Sequence, residues 1–279
     1  SLLESVGLPS NFTYNFTQHH ADLNKNQIKQ VVIPLVYADY VTFVSKGLEN
    51  EVLNGKAEGL EGLFKELHYN KRLKGITNGI NIADWDSQDP KNLQEFVFTD
   101  GSIRSSKQRL KIHLASQFPN LDPNKPWFIF IGRLANEKGV EYLPDLWNAV
   151  RKVNGNLIIL GSHVAYTIID GKPVPTYKKI IDDLHTTGCV VLDNIESQKL
   201  FGKKFRAASD CAVSLSKNEA CGLVPMELMM YGAISVAPNI QGLPDTVKEL
   251  NATNNSGTGI LYDGSPENRK QHLEAAIIK

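Results

Sequence analysis

The sequence lacks the features that would assign it to several common classes of protein. Its 30 lysines and arginines balance 30 aspartates and glutamates, so no excess charge favours nucleic acid or an anionic membrane surface as a partner. No apolar run approaches the roughly 18 residues that a membrane span needs. The first residues show neither the basic nor the apolar segment of a signal peptide. We therefore predict no nucleic-acid partner and no membrane span.

Cysteine is also scarce. The three cysteines, Cys189, Cys211 and Cys221, form no Cys-x-x-Cys pair and leave an odd thiol. This number and spacing argue against a disulfide framework and favour a reducing compartment, so we expect a cytoplasmic protein.

Hydrophobic residues make up 42% of the 279-residue chain, which is enough to form a folded core. At about 150 residues per domain, this length predicts about two domains. In residues 1–80 we predict one strand at 41–44 between two helical stretches, of which 24–37 is broken at Pro34 and Lys46–Leu53 is capped by Ser45. Because one strand cannot form a sheet, we interpret residues 1–80 as the C-terminal fragment of a larger domain.

From Trp127 onward the sequence shows a regular alternation of apolar and helical segments, and residues 81–126 form the approach to this second domain. Continuous apolar strands separated by helices are typical of a parallel sheet that is covered on both faces, so we predict an α/β, doubly wound, Rossmann-like domain. The predicted strands are residues 128–131, 157–160, 189–192, 211–215, 234–237 and 259–262. The predicted helices are residues 105–116, 140–150, 177–186, 197–208, 225–231 and 246–250, with a last helix opened by Ser265-Pro266-Glu267.

The loop after the first of these strands carries two cations between glycines. Arg133 and Lys138 lie five residues apart, and Gly132 allows a ligand to approach the backbone closely. In an open α/β sheet, ligands bind beyond the carboxyl ends of the strands. We therefore predict that this loop binds a diphosphate and offsets its charge as it leaves; the alternative is a solvated basic loop.

The loop at residues 216–227 is the second candidate for binding an anion. It contains Glu219, Cys221, Gly222 and Leu223, and we predict that Pro225 starts the following helix, whose free N–H groups would face the ligand. A thiol in this polar turn has conditions for a lowered pKa, but no partner suggests a nucleophile. Glu227 could hydrogen-bond a hydroxyl group or simply favour the helix dipole.

The two loops together carry a specific resemblance. Gly132-Arg133-Leu134 with Lys138-Gly139, and Glu219-Ala-Cys-Gly-Leu with Glu227, resemble the nucleotide-sugar half of retaining GT-B glycosyltransferases, best matched by the glycogen and starch synthase family. Residues 38–45, 75–80 and 242–247 resemble other stretches of that family. The similarity runs from about residue 6 to residue 262.

The resemblance implies a role for each matching residue. Arg133 and Lys138 would hold the donor's diphosphate, and Glu219 would lie beside the donor sugar. Cys221, Gly222 and Leu223 would form the turn over the diphosphate and sugar. Glu227 resembles a feature of the broader sucrose-synthase-like glycosyltransferase group, in which this glutamate holds the ribose. The family uses no metal. Residues 1–80 would be the end of the acceptor domain with the hinge, and residues 81–279 the nucleotide-sugar domain.

We therefore predict a retaining transferase that moves a hexosyl unit, with glucosyl favoured, from ADP- or UDP-glucose to a glycan or another hydroxyl acceptor. The alternative is a non-catalytic nucleotide-sugar-binding module of a larger protein. Two positions depart from the family's pattern, since Gln241 precedes Gly242-Leu243 where a second glycine is usual, and Val224 replaces the usual threonine. His163 follows the strand at 157–160, and we predict that it reaches the donor cleft.

Overall fold

The computed structural model describes residues 32–57, 59–98, 103–169, 171–251, 253–254 and 256–279. The chain divides into two compact units between Thr77 and Asn78. Part of the helix predicted at residues 24–37 lies outside the described residues. Its described end, Val32–Tyr37, is helical and contains Pro34 without a break, so the predicted break at this residue is wrong.

The first unit contains a two-stranded parallel sheet. Strand β1 (Val41–Phe43) pairs with β2 (Leu73–Gly75), and the helices are α1 (Val32–Tyr37), α2 (Lys46–Leu53) and α3 (Glu61–Tyr69). The Leu48 N–H donates to Ser45 Oγ over 3.0 Å, which confirms the predicted N-cap. The prediction of a single strand here is wrong. Strand β2 has no apolar run that would identify it, because it is three residues long and has a lysine at its centre.

The second unit is built on a six-stranded sheet in which every pairing is parallel. This confirms the predicted doubly wound α/β architecture. The strands are β3 (Trp127–Leu134), β4 (Asn156–His163), β7 (Val190–Leu192), β8 (Cys211–Val213), β9 (Ile234–Pro238) and β10 (Gly259–Tyr262). Their order in the sheet is β10-β9-β8-β3-β4-β7. The chain thus adds strands on one side of β3 and then returns to add the remaining strands on its other side.

Helices cover both faces of this sheet, as its continuous apolar strands require. Alternate residues of β3 enter opposite cores: Phe128 and Phe130 pack in one, and Trp127 and Ile129 in the other. The helices of the second unit are α4 (Pro90–Leu93), α5 (Ile103–Gln117), α6 (Leu143–Lys152), α7 (Lys178–Thr186), α8 (Ile195–Ala208), α9 (Leu223–Met229), α10 (Leu243–Thr246) and α11 (Arg269–Ile278).

Three predicted helix boundaries are wrong. Helix α9 begins at Leu223, so Pro225 is its third residue and not its first. The helix predicted at residues 246–250 does not form: the short helix α10 lies earlier and ends at Thr246, because the following chain joins the sheet edge through a parallel bridge between Glu249 and Gly259. Residues 265–268 form a turn, and α11 begins only at Arg269.

Helix α4 and a hairpin of the second unit were not predicted. An antiparallel hairpin, β5 (Tyr166–Ile169) with β6 (Lys172–Pro175), is inserted after β4. Its residues are largely exposed, so it contributes no apolar run of the kind that identifies the buried strands. Within the described residues, no helix has the length and apolarity needed to cross a membrane.

Candidate active site

The two predicted loops lie side by side at the carboxyl edge of the sheet. They follow β3 and β8, which are adjacent in the strand order. The loop after β3 makes a short 3-10 turn at Asn136–Lys138 and then passes through Gly139 in the left-handed conformation, with φ of 67°. The topology therefore brings together segments that are some 80 residues apart in sequence.

The backbones of the two loops are in direct contact. The Glu137 carbonyl accepts hydrogen bonds from the Lys217 N–H at 2.9 Å and the Asn218 N–H at 3.4 Å. A Cβ atom on Gly139 would lie 2.0 Å from the Leu215 carbonyl oxygen, a distance that no side chain can occupy. Glycine at this position is therefore required by the contact itself.

The contact places Lys138 against Glu219. Lys138 Nζ donates to Glu219 Oε2 over 2.6 Å, and each side chain is 21% exposed. Ser216 Oγ donates to the same carboxylate oxygen over 3.1 Å. A cation and a carboxylate that are partly shielded from water interact more strongly than a surface pair. They form a fixed polar centre that remains accessible to a ligand.

Arg133 was predicted on the loop after β3, but it lies within β3, one residue before the strand ends, and is held differently. Its guanidinium pairs with Glu137 over 3.0 Å and is 62% exposed. Gly132 lies directly beside Lys138, since a Cβ atom there would be 3.5 Å from Lys138 Cγ. Arg133 and Lys138 are thus both paired with carboxylates, and an anionic ligand would compete with Glu137 and Glu219 for them.

The turn at residues 221–223 leads into α9. Gly222 has φ of 82°, in the left-handed region, and Leu223 is 41% exposed. Cys221 is buried, with its Sγ 3.8 Å from the Asn78 carbonyl oxygen. Burial raises the pKa of the Cys221 thiol above its usual range, so the expectation of a lowered pKa is wrong.

Glu227 is bound to an arginine that the sequence analysis did not consider. Arg206 Nε donates to Glu227 Oε2 over 3.2 Å, and both side chains are less than one-fifth exposed. The Arg206 guanidinium also lies 5.3 Å from the centre of the Trp85 ring. Burial raises the pKa of Glu227, although Arg206 opposes this shift. A role for Glu227 in holding ribose stays a prediction.

His163 ends the strand next to β3, where it is in register with Leu134. Its Nε2 lies 3.2 Å from Asp193 Oδ2, in the loop after β7. Its Nδ1 is buried and has no hydrogen-bond partner among the described residues. His163 therefore lies at the same edge of the sheet as the two loops, but its contact with a donor stays a prediction.

Three residues at this edge were not selected from the sequence. Ser216 and Gln241 both hydrogen-bond Glu219, and the buried Arg269 binds the carbonyl groups of Leu215 and Ser216. Gln241 could have been selected from the sequence, because it stands where the family's pattern has the first of two consecutive glycines. Arg269 gave no signal, because a cation in an amphipathic helix is normally assigned to the solvent face.

The sequence also contains an Asp-x-Asp triplet, Asp84-Trp85-Asp86, that was not among the predicted site residues. Asp84 Oδ2 accepts from Asn81 Nδ2 over 2.9 Å, and Asp86 Oδ1 accepts from the Gln88 N–H over 2.9 Å. Both carboxylates thus stabilise local turns. Among the described residues, no group of three or more His, Cys, Asp or Glu side chains could hold a metal ion.

The fold is a doubly wound α/β domain with two loops in contact at the carboxyl edge of its parallel sheet, and comparison with known proteins gives its family. Residues 113–279 match the family described as "Glycosyl transferases group 1". The chain therefore belongs to the group 1 glycosyl transferases.

Within that family the chain is glycogen and starch synthase-like. It is 33% identical over 244 residues to a glycogen synthase of Flavobacterium johnsoniae and 29% identical over 240 residues to a glycogen synthase of Hydrogenobaculum sp.. Each alignment covers 85% of this chain and 47% of the relative, so the chain spans about half the length of these curated relatives.

A solved structure shows the same fold. The catalytic domain of starch synthase IV from Arabidopsis thaliana, bound to ADP and acarbose, superposes with a TM-score of 0.70 at 24% identity. The match covers 92% of this chain and 52% of that one. Together these matches confirm the predicted resemblance to the GT-B glycogen and starch synthases.

Proposed function

We propose that this chain provides the nucleotide-sugar site of a retaining GT-B glycosyltransferase. The enzyme moves a hexosyl unit, with glucosyl favoured, from ADP- or UDP-glucose to a glycan or another hydroxyl acceptor. Residues 81–279 form the donor domain, and residues 1–80 are the end of the acceptor domain with the hinge. The observation that carries this proposal is the 2.6 Å pair of Lys138 and Glu219 at the ends of two adjacent strands.

In this mechanism the cations act on the leaving group. Negative charge grows on the nucleoside diphosphate as its bond to the sugar breaks, and Lys138 and Arg133 stabilise that charge. Two side-chain cations can offset the charge of a diphosphate without a metal ion. Glu219 accepts hydrogen bonds from the sugar hydroxyls and orients the ring.

The relatives support this function by their names. Both curated relatives are glycogen synthases, and the starch synthase structure holds ADP together with acarbose, a glycan-like compound. Retention of configuration rests on the resemblance to the retaining glycogen and starch synthases. The choice between ADP- and UDP-glucose is left to the binding experiment.

The test measures donor binding and transfer with a matched pair of variants. Calorimetric titration with ADP-glucose, UDP-glucose and GDP-glucose identifies the donor, and transfer of labelled glucose to maltooligosaccharide measures turnover. Lys138→Ala should weaken donor binding about 10- to 100-fold, as expected for the loss of a charge-assisted hydrogen bond. It should lower turnover about 10²- to 10³-fold. Lys179→Ala removes a cation that is 86% exposed on α7 and should change neither.

The outcomes separate the candidate functions. Transfer that gives an α-linked product from an α-linked donor, read by NMR, supports the retaining enzyme. Binding that depends on Lys138 but gives no transfer favours the non-catalytic nucleotide-sugar-binding module. Equal binding by the Lys138→Ala and Lys179→Ala variants would contradict the site, and an absence of binding with all three donors would contradict the proposed function.

A further inference from the structure

Gln241 has an unusual backbone conformation next to the candidate site. Its φ is 44°, in the left-handed region that glycine adopts readily and other residues rarely do. It stands where the glycogen and starch synthase pattern has a glycine. A non-glycine residue in this region raises the energy of the folded state, and a contact made by its side chain can offset that cost.

The side chain makes that contact with Glu219. Gln241 Oε1 accepts a hydrogen bond from the Glu219 N–H over 2.7 Å, and Gln241 Nε2 donates to Asn218 Oδ1 over 3.3 Å. Both bonds run from the loop after β9 to the loop after β8.

The next residue holds the carbonyl side of Glu219. The Gly242 N–H donates to the Glu219 carbonyl oxygen over 3.1 Å. A Cβ atom on Gly242 would lie 2.3 Å from the Ala220 carbonyl oxygen, so the two backbones touch. Both backbone polar groups of Glu219 are therefore bound by consecutive residues of one turn, while its carboxylate is bound by Lys138 and Ser216.

We propose that Gln241 is a positioning residue that holds the Glu219 backbone so that its carboxylate stays beside Lys138. This inference rests on the proposed function, in which Glu219 orients the donor sugar and the cations hold the diphosphate. Loss of the Gln241 side chain should therefore affect recognition of the sugar more than recognition of the nucleotide.

The decisive variant is Gln241→Gly, which removes both side-chain hydrogen bonds and also relieves the backbone strain. The variant should be at least as stable as the wild type, yet its Glu219 amide should exchange hydrogen about tenfold faster. Affinity for the nucleotide-sugar donor that the wild type prefers should fall about tenfold, whereas affinity for the matching free nucleoside diphosphate should stay unchanged. A purely structural role would lower stability and both affinities together.

Two further variants serve as controls. Asn154→Gly relieves a similar left-handed strain, φ of 54°, at an exposed position just after α6, and should leave Glu219 exchange and donor affinity unchanged. Gln241→Glu keeps an oxygen acceptor for the Glu219 N–H, so the slow amide exchange should be retained.

Amide exchange is measured by NMR without ligand, and so it reports on Gln241 independently of donor binding. Exchange at Glu219 that is equal in the wild type and Gln241→Gly would overturn the proposal. Faster exchange with unchanged donor affinity would overturn it as well. If the wild type binds no nucleotide sugar, the proposed function fails and the role of Gln241 in sugar recognition fails with it, whereas the exchange result still shows whether its side chain holds the loop.

Discussion

Replacing Arg269 with methionine should destabilise the second unit and disturb the loop that carries Glu219. Arg269 is 3% exposed, and its guanidinium binds three carbonyl groups from two segments. Nε and Nη2 donate to Gly264 O over 3.0 and 2.5 Å, and Nη1 donates to Leu215 O over 2.7 Å and to Ser216 O over 3.2 Å. No carboxylate pairs with it among the described residues.

The expected loss follows from the groups left behind. Arg269→Met leaves three carbonyl oxygens without this donor, and each unsatisfied group costs about 1–3 kcal/mol. Part of the loss is offset because the charged group no longer has to be buried. We therefore expect the free energy of unfolding to fall by about 3 kcal/mol, which lowers the Tm of a unit this size by about 6–12 °C.

Urea unfolding checks this value against a neighbouring residue. Lys270, next on the same helix, is 73% exposed and pairs with Asp145 at 2.7 Å, so Lys270→Met should cost no more than about 1 kcal/mol. If Arg269→Met costs no more than this control, the carbonyl groups do not depend on the guanidinium and the reasoning is wrong.

Two other residues allow similarly direct tests. Burial lowers the pKa of Lys107 from 10.5 to about 8, so its charged form costs the folded state about 3 kcal/mol below pH 8, and this cost disappears as the pH rises to 10.5. At pH 7 the Lys107→Met variant should therefore have a larger free energy of unfolding than the wild type, although the loss of the hydrogen bond to Ser209 O reduces this gain. By pH 10.5 the wild type should have recovered about 3 kcal/mol relative to the variant, because its lysine is then uncharged in the folded state. Urea unfolding at both values measures this shift, and a difference independent of pH would contradict the assignment. Gly139→Ala places a Cβ 2.0 Å from Leu215 O, whereas Gly171→Ala has a similar φ of 74° with no atom within 4 Å. Thermal melts should show that Gly171→Ala lowers the free energy of unfolding by about 1–2 kcal/mol and that Gly139→Ala lowers it clearly more. Equal losses would show that the loops after β3 and β8 can move apart without an energetic cost.

The parts of the fold and of the candidate site that could be predicted are those that depend on local sequence patterns. Residues 128–131 and 157–160 are continuous apolar runs, and strands form at both because such runs are stable only when both faces are covered. Ser45 caps its helix as predicted, because the bond from Leu48 spans a single turn. The side chains of Lys138 and Glu219 could be assigned to one site because the carboxyl ends of adjacent parallel strands meet.

Boundaries and short elements were harder to predict, since distant contacts set them. The segment 246–250 has a helical pattern, but Glu249 bridges to Gly259 at the sheet edge. Cys221 lies in a polar stretch of sequence, yet the fold buries its thiol beside the Asn78 carbonyl group. In both cases the deciding neighbour is far away in the chain.

The sequence by itself thus determined the succession of the six strands of the main sheet, the two loops predicted to bind an anion and the family they resemble, because each depends on short-range periodicity or on residue types in sequence. Only the tertiary structure decided how those groups are held. It pairs Lys138 with Glu219, binds Glu227 to Arg206, and turns Gln241 and Arg269 toward the loop after β8. These contacts join segments far apart in sequence, and their geometry exists only after the sheet has brought the loops together.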